Sequence, residues 1–81
     1  MNGGWVEVDG ALQKRFVFGN FKQALEFVNR VGDIAESLQH HPDIAIQNYN
    51  EVLVSTTTHD AGNTVTEKDR MFSDAVERIN E

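Results

Sequence analysis

Three histidines are the side chains of this sequence best suited to acid–base chemistry, and they fall in two places. His40 and His41 are adjacent and precede Pro42, and His59 follows eighteen residues after His41. Imidazole titrates near neutral pH, so two imidazoles across one pocket could supply a proton donor and a proton acceptor. Glu36 lies four residues before His40, on the same helix face if the last turn is intact. We therefore expect Glu36 to orient His40.

The same histidines allow two other interpretations. Together with Glu36 or Asp60 they could form a zinc site, although adjacent His40 and His41 would point apart on a regular element. His-His-Pro could also do no more than end a helix and interact with its C-terminal dipole. The acid–base interpretation is favoured, and no metal is expected.

Composition narrows the class of protein. A chain of 81 residues makes one domain, residues 1–81, and its formal charge of −6 argues against direct nucleic-acid binding. Apolar runs are too short for a membrane span or a signal peptide, so a soluble, cytoplasmic protein is expected. A core this small, without cysteine, favours a homodimer or homotetramer.

The first half of the chain must place the paired histidines at a helix end. Asp9-Gly10 joins two alternating segments, 5–8 and 11–18, and is typical of a two-residue β-hairpin turn. Asn20 can cap a following helix, whose apolar residues recur every three or four positions until about Gln39.

The second half repeats this order. Two β-prone runs, 44–47 and 51–58, flank a turn, and residues 59–64 are expected to form a loop. Thr66 with Asp69 predicts the capping box of a second helix. The order ββαββα indicates an α+β fold, with a four-stranded antiparallel sheet and both helices packed on one face.

These spacings resemble the signature of the pterin-4a-carbinolamine dehydratases. In that family an acidic residue is followed by His-His-Pro, an aromatic residue, a second histidine or tryptophan, and an aspartate. The matching residues are Glu36, His40, His41, Pro42, Tyr49, His59 and Asp69. The resemblance runs from Gly4-Trp5 to the last helix, and the stretches 39–43, 57–62 and 66–69 are also typical of the family.

The resemblance implies an αββαββα sandwich, here lacking the first helix, that forms dimers or dimers of dimers. It also implies a reaction, the loss of the 4a-hydroxyl of a pterin carbinolamine to give a quinonoid dihydropterin in tetrahydrobiopterin recycling. No metal or organic cofactor is needed for it. The residues implied to surround the substrate are Gln39, His40, His41, Thr57, Thr58, His59 and Asp60.

Within that pocket, His40 and His59 are the expected acid and base, with the division between them open. His41 is expected to bind substrate or assist. Tyr49 could belong to a turn, the core or the pocket wall, and Asp69 is expected to be structural first, as a helix-capping acid.

A non-catalytic function is the alternative. Some members of the family bind proteins, as dimerisation cofactors of a homeodomain transcription factor or in assembly roles, and a protein partner is therefore conceivable here. The complete histidine set favours the enzyme.

The sequence departs from the family pattern in the loop at 63–65, which is slightly longer than the family's common Gly-Leu-Thr form. This longer loop is expected to reshape the pocket rim.

Overall fold

The computed structural model describes residues 4–80, which form two strands, a helix, two more strands and a second helix. The elements are β1 (Val6–Val8), β2 (Ala11–Val17), α1 (Phe21–Leu38), β3 (Asp43–Gln47), β4 (Glu51–Thr56) and α2 (Glu67–Ile79). A short 3₁₀ turn at His59–Ala61 occupies part of the predicted loop. The strands form one antiparallel sheet in the order β1-β2-β4-β3, which confirms the α+β prediction.

The core lies between one face of this sheet and the two helices. Alternation in β2 and β4 directs every second side chain toward the helices, where the apolar stripes of α1 and α2 meet them. The buried side chains of this layer are Leu12, Phe16, Ala24, Phe27, Val31, Ala35, Val52, Val54, Phe72 and Val76. The inward-facing strand residues are therefore confirmed, whereas the predicted helix stripes are confirmed only in part, because four of their residues are exposed: Phe21, Leu25, Leu38 and Met71.

The opposite face of the sheet is open. Val6 and Val17 project from it and are 56% and 64% exposed, and β1 and β3 are edge strands. Such an open face and such edges could accept a second subunit, but the homodimer or homotetramer stays a prediction. Across residues 4–80, neither helix combines the length and the apolar character needed to span a bilayer.

The first helix ends at about Gln39, as its periodicity predicts. α1 stops at Leu38, and Gln39 has a left-handed backbone with φ of 51°. The amides of Gln39 and His40 then donate to the carbonyls of Glu36 and Ala35, a tight C-terminal cap. The chain leaves the helix at Gln39, so His40 does not occupy a further helical turn.

The β1–β2 turn has the predicted two-residue form, with positive φ at both Asp9 (50°) and Gly10 (83°). This turn also supports the segment that follows β4. The Thr57 hydroxyl donates to the Gly10 carbonyl at 2.7 Å, and a Cβ at Gly10 would come within 2.2 Å of the Asn63 carbonyl oxygen. Glycine is therefore required for both conformation and space.

Gly10→Ala is expected to lower the free energy of unfolding by about 2–4 kcal/mol, since strain at positive φ adds to a clash with backbone. The matched control is Gly62→Ala. Gly62 has nearly the same φ, 80°, but a Cβ there would meet no atom within 4 Å, so about 1–2 kcal/mol of strain alone is expected. Urea denaturation measures both. If Gly10→Ala and Gly62→Ala lost the same free energy of unfolding, the Asn63 carbonyl would have to move aside freely.

Candidate active site

One cleft collects the residues that the sequence singled out. β3 begins at Asp43, which pairs with Ser55 near the end of β4, so the segment before β3 and the segment after β4 meet at the same end of the sheet. Between them lies a cleft of about 190 Å³. It is lined by Gln39, His40, His41, Thr57, Thr58, His59, Asp60 and Lys68. All seven residues expected around the substrate are thus brought together.

The His40 ring forms a hydrogen bond with a buried carboxylate. Its Nε2 lies 2.6 Å from Oδ1 of Asp69, and the His40 side chain is 11% exposed while that of Asp69 is fully buried. An ionised carboxylate only accepts hydrogen bonds, so Nε2 of His40 carries a proton and donates it. The other ring nitrogen, Nδ1, has no hydrogen-bond partner among residues 4–80. Asp69 therefore fixes both the orientation and the tautomer of His40.

Asp69 is itself bound on both oxygens. Besides His40, its donors are the Thr56 hydroxyl at 2.7 Å, the Thr58 hydroxyl at 2.8 Å and the Thr66 amide at 2.9 Å. Burial alone would raise the pKa of Asp69, but the hydrogen bond from His40, with those from the amide and hydroxyls, lowers it below its ordinary value of 3.8. Asp69 is consequently an anion at neutral pH.

The predicted role of Asp69 in a helix cap is confirmed, and a second role is added. Thr66 and Asp69 form the capping box of α2, with the Thr66 amide donating to Oδ2 of Asp69. The same carboxylate turns its Oδ1 toward His40. One side chain thus joins the start of α2 to the histidine that follows α1.

The prediction that Glu36 orients His40 is wrong. Glu36 Oε2 lies 2.5 Å from Nε2 of His41, and both side chains are largely exposed. The cause is the left-handed Gln39, which ends the helix before His40 can align four residues above Glu36. Glu36 therefore orients His41 at the rim of the cleft.

His59 is held by a neutral partner. Its Nδ1 lies 2.7 Å from the side-chain oxygen of Asn63, within the loop that follows β4. His59 opens the 3₁₀ turn and its side chain is exposed at the cleft. Asn63 was noted in the sequence only as part of a longer loop, because nothing in a single asparagine signals a contact with a histidine.

Two of the expected residues have other positions. Tyr49 lies in the β3–β4 turn, at the end of the hairpin away from the cleft, and is 65% exposed. It belongs to the turn and does not line the pocket. Pro42 lies between the cleft and β3 and starts the extended path into that strand. Lys68 was missed, although it belongs to the 66–69 stretch; the first turn of α2 places it on the cleft wall.

The chemistry that this arrangement can perform is proton transfer at two points. In the described chain, residues 4–80, no group of three or more histidine, aspartate and glutamate side chains is placed to hold a metal ion. One imidazole is backed by an anion and the other by an amide, and both border the same cleft. Such a pair can give a proton to one atom of a bound molecule and take a proton from another.

Comparison with known proteins identifies a family and several relatives of this chain. A profile described as Pterin 4 alpha carbinolamine dehydratase matches residues 1–79. A curated relative from Picosynechococcus is 52% identical over 65 residues, which is 80% of this chain and 68% of the relative, and bears the pterin-4-alpha-carbinolamine dehydratase name provisionally.

Two solved structures are similar. One, from Brucella melitensis, is described as a transcriptional coactivator/pterin dehydratase; it has a TM-score of 0.85 and 35% identity, over 95% of this chain and 82% of that one. The other is a pterin dehydratase-like protein identified as a RuBisCO assembly factor in the alpha-carboxysome, with a TM-score of 0.74 over 96% and 92% of the two chains. Its identity of 23% shows a shared fold alone.

Proposed function

Since the chain belongs to the pterin-4a-carbinolamine dehydratase family, we propose that it dehydrates 4a-hydroxytetrahydropterins to quinonoid dihydropterins. The observation that carries the proposal is the pair of differently supported imidazoles, His40 on Asp69 and His59 on Asn63, bordering one cleft. An intact pair of this kind is what the reaction needs and what a purely structural domain does not need.

The reaction removes water across one bond of the pterin. The C4a–O bond breaks, the oxygen takes up a proton and leaves as water, and N5 loses its proton as the C4a=N5 double bond forms. Hydroxide is a poor leaving group, so an acid at the oxygen and a base at N5 both lower the barrier. Each positioned proton transfer contributes about 10²–10⁴-fold.

We assign the acid and the base from the hydrogen-bond partners of the two histidines. His40 lies beside the anion Asp69 and donates Nε2–H to it, so His40 is the proposed acid and gives a proton from Nδ1 to the leaving oxygen. The Asn63 amide carries no charge and accepts from Nδ1 of His59, so His59 is the proposed base toward N5. After one turnover His59 holds the proton taken from N5, and His40 has given its proton to the departing water, so exchange with solvent restores both.

The other residues of the cleft would bind the heterocycle. Gln39 and Asp60 offer hydrogen-bonding groups at its two sides, and His41, held by Glu36, stands at the rim. The Thr57 hydroxyl is already bound to Gly10, so it shapes the wall. His41 is therefore proposed to bind substrate, and Glu36 to position His41.

A dehydration assay tests the function directly. Synthetic 4a-hydroxytetrahydropterin loses water slowly in buffer, and the purified protein is expected to accelerate the formation of quinonoid dihydropterin in proportion to its concentration. A rate equal to the uncatalysed rate, with folded protein shown by circular dichroism, would contradict the proposal.

Activity is further expected to need no metal or organic cofactor. Protein treated with a strong chelator and dialysed should keep its kcat/KM within about twofold, because the proton transfers are assigned to imidazoles. Metal analysis of the same sample is expected to find less than stoichiometric zinc. Activity lost to chelator and restored by added zinc would instead favour a metal mechanism.

A second candidate function is the binding of a protein partner. The solved relative from Brucella melitensis is described as both a coactivator and a dehydratase. In this chain Leu38 and Met71 leave apolar surface exposed beside the cleft, on the helical side of the molecule. His40 and Lys68 also line the groove at these two residues, so a partner there would lie against one wall of the cleft. The homo-oligomer and the cytoplasmic location are proposed on the sequence arguments alone.

A further inference from the structure

We propose that Asn63 is a positioning residue, which fixes the tautomer of His59 and thereby makes its Nε2 the proton acceptor of the cleft. The catalytic consequence rests on the proposed function. The structural part, a defined tautomer of one imidazole ring, stands by itself. Asn63 lies in the part of the loop that departs from the family's common Gly-Leu-Thr form.

The direction of the hydrogen bond follows from the chemistry of the two groups. The side-chain oxygen of Asn63 only accepts, so at 2.7 Å it requires a proton on Nδ1 of His59. A neutral imidazole has one N–H, and Nε2 is then left with a free lone pair. Among residues 4–80 no side chain or backbone group occupies that nitrogen, which remains available to a molecule in the cleft.

The backbone holds Asn63 in place for this contact. Its φ is 60°, a left-handed conformation that asparagine tolerates better than most residues. Its amide donates to the Thr58 carbonyl at 3.1 Å, and its own carbonyl packs against the bare Cα of Gly10. The loop is thus closed on both sides, and the Asn63 side chain points back four residues to His59.

The neutrality of Asn63 distinguishes the two imidazoles. A carboxylate at this position would place an anion beside His59, as Asp69 does beside His40. The charged or titratable groups that share the cleft with His59 are His40, His41, Asp60 and Lys68. None of them forms a hydrogen bond with the His59 ring in the described chain, so the partner on Nδ1 decides the tautomer.

Nitrogen-15 NMR of the histidine rings is the experiment, because ring nitrogen shifts report which nitrogen bears the proton. Above the titration of His59, the wild-type ring is expected to be mostly Nδ1-protonated. In Asn63→Gly, which keeps the left-handed backbone without strain, the ring is expected to shift toward the Nε2-protonated form. Asn48→Gly is the matched control: Asn48 is also left-handed, with φ of 49°, but bonds to Glu51, and its replacement should leave the ring unchanged.

Kinetics of the same variants test the catalytic half. Asn63→Gly is expected to lower kcat/KM about 10-fold, an ordinary effect for loss of a group that orients a catalytic histidine. Asn63→Asp restores an acceptor for Nδ1, so it should keep the wild-type tautomer and move the acidic limb of the pH–rate profile, on which the base loses its proton, to higher pH. A merely structural role would give neither the tautomer change nor this shift.

The outcomes separate the two proposals. An Nε2-protonated ring in the wild type, or an Nδ1-protonated ring unchanged in Asn63→Gly, would overturn the inference whatever the activity. An Nδ1-protonated wild-type ring that changes in Asn63→Gly supports it even in a protein without dehydratase activity, and in that case only the proposed function fails.

Discussion

Replacement of His40 or His59 by alanine is expected to reduce kcat/KM for the carbinolamine by about 10²-fold, since each change removes one of two positioned proton transfers. Because both groups act on one elimination, the double variant should lose less than the product of the single losses. Steady-state kinetics on synthetic substrate measures all three, and KM should change less than kcat.

Tyr49→Ala is the matched control for these variants. Tyr49 meets the family spacing as the histidines do, yet it lies exposed in the β3–β4 turn and outside the cleft. Its kcat/KM should stay within about twofold of wild type. Circular dichroism must show that His40→Ala and His59→Ala are folded. Rates within twofold of wild type for both would refute the acid–base assignment.

A large loss of stability is also expected from Asp69→Asn, which should lower the free energy of unfolding by about 2–4 kcal/mol at pH 7. The buried carboxylate accepts from four donors, and an amide keeps only one accepting oxygen for them. The loss of its charge should also reduce kcat, because an imidazolium at His40 then has no anion beside it.

At low pH, the difference in the free energy of unfolding between wild type and Asp69→Asn should disappear. The pKa of Asp69 is lowered in the folded protein, so its stabilising effect is present above the unfolded pKa near 3.8 and is lost as pH falls through the folded pKa. Urea denaturation at a series of pH values should show wild type and Asp69→Asn converging below that range. Asp74→Asn, which changes an exposed carboxylate on the same helix, should cost less than about 0.5 kcal/mol. If the free energy of unfolding changed with pH in the same way in wild type and Asp69→Asn, the prediction would be contradicted.

The elements themselves could be predicted because local rules determine them. The Asp9-Gly10 turn, the stripe of α1 and the Thr66 cap each depend on residues close in sequence, and each is present in the structure. The position of the cleft could also be predicted from the sequence, because the segments on either side of a β-hairpin must adjoin at its open end.

The partners of the histidines could not be obtained in the same way. Whether Glu36 meets His40 depends on one more helical turn, and no glycine marks the left-handed residue, Gln39, that ends the helix first. The contact of His40 with Asp69 spans twenty-nine residues. Such a contact follows from how α2 packs on the sheet, which periodicity does not specify.

His40 and His59 are each held by a different segment that is distant in sequence, and this should affect the order in which the structure forms. His40 needs the start of α2, while the loop of His59 is closed against Gly10 in the first hairpin. No single hairpin or helix contains all these contacts, so the cleft should form only in the final cooperative step. In native-state hydrogen exchange, the amides of Thr58 and Asn63, bonded within this loop, should therefore open together with the β1–β2 hairpin.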